Sequence, residues 1–146
     1  MTASVGQIAF VVDENLTRLG RGLSRLRSDF AVFGDARIGD EIGPGMLDSE
    51  WIPIVGMRRW ILITNDQRIR TRPAEASLAV EHALMVIHLH GRPGTQTAWK
   101  QAERLLSRWY AVEKLLGQHR DGPWWLSMRR GSAVELAFDP GHPERV

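Results

Sequence analysis

Three short acidic clusters each follow or face an apolar run in this chain, and their recurrence limits what it can fold into. Ile8-Ala9-Phe10-Val11-Val12 ends in Asp13-Glu14-Asn15, and Trp60-Ile61-Leu62-Ile63 ends in Thr64-Asn65-Asp66. Between them, Asp48-Ser49-Glu50 opens a segment of helical pattern. Short apolar runs bounded by acid suit strands buried on both faces, the environment of a parallel sheet. Such a sheet delivers the C-terminal ends of its strands to one edge, and ligands bind in the crevice outside it. Two carboxylates at strand ends and one at a helix start can converge there on a divalent metal. Without a cation, carboxylates gathered in this way repel one another.

The rest of the chain supplies the elements such a sheet needs. Leu16, Leu19, Leu23 and Leu26 recur at helical spacing, with Arg18, Arg21, Arg25 and Arg27 on the other faces. Residues 30–33 give a second strand, and residues 39–45, with Pro44, a loop. Asp48 is the expected N-cap of a helix whose apolar face is Trp51, Ile52, Ile54, Val55 and Met57. Pro53 within it implies a kink or a shifted start. Residues 60–64 form the third strand, followed by a basic loop carrying Arg68, Arg70 and Arg72. Pro73 begins a helix through residue 83, and residues 84–89 form the fourth strand. This β-α-β-α-β-α-β order predicts a parallel sheet with right-handed crossovers. A single long helix over 95–118, with Trp99 and Trp109 in its apolar stripe, comes next. Strands over 124–128 and 133–138 then form a hairpin, and residues 139–146 a loose tail.

With 146 residues, 43% hydrophobic and 25% charged, the chain suits one soluble domain over 1–138. No apolar run approaches the ~20 residues of a membrane span, and the N-terminus lacks a secretory pattern. The cytoplasm is the expected location, with no membrane partner. The absence of cysteine excludes disulfides and thiolate chemistry. The formal charge is only +2, but lysine occurs only at Lys100 and Lys114, so the positive charge is nearly all arginine. Guanidinium forks match phosphate bidentately, which suits a nucleic-acid surface.

Asp13-Glu14-Asn15-Leu16, the downstream Asp48 and Thr64-Asn65-Asp66 together resemble the PIN-like domains. The closest likeness is to the subgroup with a D-E-N-L start and a T-x-D third motif, which includes toxins of the VapC kind. The likeness covers roughly residues 7–90. It implies a three-layer α/β/α sandwich with a mainly parallel sheet, holding Mg²⁺ or Mn²⁺ and hydrolysing RNA. In toxin members, a cognate antitoxin protein inhibits the nuclease. By position, Asp13, Asp48 and Asp66 resemble the family's metal-binding, catalytic acids. Glu14 and Glu50 are weaker neighbours, and Glu75 is the nearest candidate for a fourth acid.

The chemistry suits these parts. Carboxylate oxygens hold a hard divalent ion and leave positions for water and a phosphate oxygen. Thr64 or Asn65 could orient that water or phosphate, and Arg68, Arg70 and Arg72 could grip the RNA backbone. The alternative is a catalytically inactive PIN-like module that binds RNA or protein. A response-regulator-like domain would need a lysine at a later strand end, where none stands. His82, His88, His90, His119 and His142 show no metal-site spacing. Trp124 and Trp125 are expected in a core or partner interface rather than stacked on bases. Any exposed apolar portion of the long helix would suit a homodimer or an antitoxin groove.

Overall fold

The computed structural model describes residues 7–92 and 94–140. Six strands, β1 (Phe10–Val12), β2 (Phe30–Val32), β3 (Ile61–Thr64), β4 (Met85–Leu89), β5 (Trp124–Met128) and β6 (Ala133–Leu136), make one sheet. Its order is β2-β1-β3-β4-β5-β6, and every neighbouring pair is parallel except β5–β6. The first four strands lie within their expected apolar runs and are slightly shorter than them. The expected terminal hairpin is the antiparallel β5–β6 pair.

Alternation along each strand splits the core into two layers. Phe10, Val12, Ile61 and Ile63 face α1 (Thr17–Leu26), α5 (Ala98–Leu106) and α6 (Trp109–Gly117). Val11, Leu62 and Val86 face α2 (Asp48–Arg58), α3 (Arg68–Thr71) and α4 (Pro73–Glu81). The result is a three-layer α/β/α sandwich. Burying both faces explains why the strands are continuous apolar runs. Trp124 and Trp125 fall on opposite faces, 2% and 1% exposed, as core residues. Gly20 lets α1 lie close on the sheet, since a side chain there would overlap Val32 Cγ2.

The single helix over 95–118 is replaced by two, broken at Ser107 and Arg108. The break turns Trp109 onto Phe10 and Phe30, with ring centroids 5.2 and 5.8 Å away. Trp99, expected in the same stripe, is 79% exposed. Part of the expected basic loop is the one-turn helix α3. Leu47, not Asp48, caps α2, and its N–H donates to Glu50 Oε1 at 3.1 Å. Pro53 sits inside α2, which neither starts late nor stops at it. The expected loose tail lies outside the described residues from 141 onward. Asp139 is tied down, its N–H donating to the Arg70 carbonyl at 2.9 Å. Among the described residues, no helix is long and apolar enough to cross a membrane.

Candidate functional site

Strand order fixes where the acids go. From β1 the chain steps to β2 on one side, then returns to place β3 on the other. The switch point therefore lies between β1 and β3, where an open α/β sheet forms its binding crevice. Asp13 follows β1, and Thr64 closes β3 just before Asn65 and Asp66.

Thr64 joins the two ends. Its fully buried hydroxyl donates to Asp13 Oδ2 at 2.8 Å and accepts from the Asp66 N–H at 3.0 Å. Asp13 Oδ1 also accepts from the Asn15 N–H at 3.2 Å. Burial pushes the Asp13 carboxyl above its ordinary value, and the charges of Asp66 and Glu14 add to the rise. The hydrogen bonds from Thr64 and Asn15 oppose it.

Asp48 begins α2 and accepts from Trp51 Nε1 at 3.0 Å. Burial raises its carboxyl too, with further push from the charges of Asp66 and Glu75. Glu75, in the first turn of α4, thus acts electrostatically on Asp48. Burial also works against ionisation of Asp66, but Arg68 outweighs it and lowers the carboxyl below its ordinary value. Arg68 Nε and Nη2 grip the two oxygens at 2.9 and 3.0 Å, and its backbone N–H donates at 3.0 Å. Arg72 adds its charge.

The remaining candidates divide. Glu14 turns away to accept from the Gly45 N–H at 3.1 Å, and Glu50 caps its own helix. Arg70 donates to the Ala137 carbonyl at 3.1 Å and so anchors the segment after β6. Asn65 lines an open cleft of about 460 Å³ with Asn15, Asp66, Gln67, Arg68, His88, His90, Gly91 and Arg92. His88 pairs with Thr64 across β3–β4 and is only 4% exposed. Burial, with the His90 charge, pushes it down to about 4, so it is neutral at pH 7. Sequence alone sets the histidines aside for want of metal-site spacing, gives Asn15 a place only in the D-E-N-L motif and gives Arg92 none. The signal available was the placement of His88 and His90 at a strand end beside the T-x-D strand.

The acids fit a divalent ion in kind. They are all hard oxygen donors, and burial raises Asp13 and Asp48, with a smaller like-charge contribution from Asp66 that a cation would relieve. In position the set is open. Among the described residues, no three acidic, histidine or cysteine groups gather closely enough to share one ion.

A family model described as a PIN like domain matches residues 8–91, more than half of the chain. No curated protein and no solved structure gives a match. The fold is of a nuclease type, as PIN-like domains typically are nucleases. With that span matched and a three-layer α/β/α fold around it, the chain belongs to the PIN-like domain family.

Proposed function

We propose that this PIN-like domain is a metal-dependent endoribonuclease and the toxin of a toxin–antitoxin pair. The Thr64 hydroxyl, tying Asp13 to the Asp66 backbone at the switch point, is the observation that carries the reading. The D-E-N-L and T-x-D motifs support the toxin-type subgroup. Asp13, Asp48 and Asp66 would have to draw closer together than they stand here to hold Mg²⁺ or Mn²⁺, with Glu75 as the fourth acid beside Asp48. When bound, the ion supplies a more acidic water and offsets charge building on the phosphate. Thr64 fixes the Asp13 carboxylate, and the Asn15 and Asn65 carboxamides orient water or a phosphate oxygen. Arg68 and Arg72, whose charges already act on Asp66, take backbone phosphates, contacts that carry no sequence information. The partners in this reading are an RNA substrate, an inhibiting antitoxin and a second copy of the chain, in the cytoplasm.

Purified protein, freed of any inhibitor, is expected to cleave mixed RNA in Mn²⁺ or Mg²⁺. A chelator, Asp13→Asn or Asp66→Asn should each abolish the cleavage. A second reading, an inactive RNA-binding or protein-interaction module, is favoured by the Arg68 fork closed on Asp66. RNA binding without cleavage in either metal would select it.

A further inference from the structure

The acids at the switch point are flanked on both sides by clefts with arginine in their walls. The first, described above, lies off β3 and β4. The second, about 550 Å³, lies off the end of β2 and is lined by Thr17, Arg21, Ser24, Arg25, Gly34 and Pro44, among others. Both open on the edge of the sheet where parallel strands end. The segment 13–17 separates them: Asn15 lines the first and Thr17 the second.

Charge in the second cleft favours an anion. Arg21 and Arg25 are one helical turn apart on α1 and exposed. The Asp35 carboxylate in the same wall is already neutralised, its Oδ2 bound by Arg37 Nη2 at 2.8 Å. The hydroxyls of Thr17 and Ser24 donate to the Glu14 and Gly20 carbonyls, leaving the two guanidiniums as the side-chain donors. The first cleft has a different character. His88 and His90 line it together with the carboxamide of Gln67. Carboxamides and imidazole suit a base edge, whereas paired guanidiniums suit a phosphate.

We propose that Arg21 and Arg25 form a phosphate subsite for single-stranded RNA, across the acids from a nucleoside subsite at His88, His90 and Arg92. The strand crosses the sheet edge from β4 to β2, with the scissile phosphate over Asp13 and Asp66. Adjacent strands lie about 4.8 Å apart, so β2 to β4 spans about 14 Å. An A-form duplex is too wide and stiff to enter both clefts at once. This inference rests on the nuclease reading for its substrate class, but binding can be tested without cleavage.

Fluorescence anisotropy of labelled oligouridylates, about one to eight nucleotides long, in a chelator reads binding alone. For the wild-type protein, affinity should rise with length until the oligomer reaches both clefts and then level. Arg21→Ala/Arg25→Ala, at exposed positions that leave the fold intact, should weaken the longer oligomers about tenfold and spare the dinucleotide. It should also reduce the salt slope by about 0.7, the share of one phosphate contact. His90→Ala/Arg92→Ala should weaken the dinucleotide as well. Wild-type affinity and salt slope in the Arg21/Arg25 variant, or equal binding of duplex RNA, would overturn the proposal. Length-limited binding with no cleavage in metal would overturn the nuclease reading and leave the subsite standing. Cleavage with unaltered binding in the variant would do the reverse.

Discussion

Thr64 shows how one hydroxyl can fix two acids. Thr64→Val keeps the shape of the side chain but strips the bond from Asp13 and leaves the Asp66 N–H without its acceptor. Burying an unsatisfied polar group costs about 1–3 kcal/mol. Urea denaturation should show that loss, and RNA cleavage should fall with it, while Thr64→Ser restores both. The other acids also have local duties. Asp13 and Asp66 accept from backbone N–H groups two residues on, and Asp48 holds the Trp51 indole. Turn formation and metal binding are thus not exclusive readings of a strand-end Asp. At the wall of the second cleft, Arg37 donates to Asp35 and to the carbonyls of Ser28 and Phe30. Its side-chain bond, working against burial, holds the Asp35 carboxyl below its ordinary 3.8. A carboxyl of lowered pKa binds fewer protons in the folded state, so its stabilisation is full above the unfolded value and drains as pH falls through the folded one. Arg37→Ala should therefore destabilise the protein at neutral pH by about 1–3 kcal/mol. In denaturation curves across pH, it should also flatten the loss of stability below that value.

Two glycines of α1 separate packing from propensity at the level of an element. At Gly20 an added methyl would overlap Val32 Cγ2 and stand 3.0 Å from Val12 Cβ, whereas at Gly22 nothing lies within 4 Å. Gly20→Ala should cost about 1–3 kcal/mol through overpacking, and Gly22→Ala should gain up to about 1 kcal/mol from helix propensity. Equal effects in chemical denaturation would show that α1 does not rest on β1 and β2 as described. The broken helix after β4 carries a similar lesson. Its apolar residues recur at helical spacing across residues 107 and 108, so the sequence offers one continuous stripe. The docking of Trp109 against Phe10 and Phe30, residues about 80–100 positions earlier, bends it in two.

The family match ends at Gly91, yet the sheet does not. β5 pairs with all five residues of β4, and its two tryptophans serve opposite cores. A chain cut after Gly91 would lose both indoles, and each buried Trp is worth about 3–5 kcal/mol. Against a total stability of about 5–15 kcal/mol, that loss should abolish cooperative folding. A broad thermal transition and aggregation on gel filtration are expected. A sharp melt from the truncated chain would show that the matched segment is self-sufficient.

Much of this molecule was settled locally. Short apolar runs, the first three ended by acid, gave the first four strands, leucine spacing gave α1, and the order of elements gave the parallel sheet, because each depends on neighbours in the chain. The sequence likewise placed Asp13 and Asp66 at strand ends. Only the tertiary structure decided what met across space. It set the β2-β1-β3-β4 order that makes the switch point and brought the charge of Glu75 to bear on Asp48. It turned Arg70 to the C-terminal segment while Arg68 closed on Asp66, although both stand in one short basic run. It also set His88 beside Thr64 and opened a cleft on each side of the acids. These depend on non-local packing and on the direction in which each side chain leaves its backbone, which periodicity and composition do not encode.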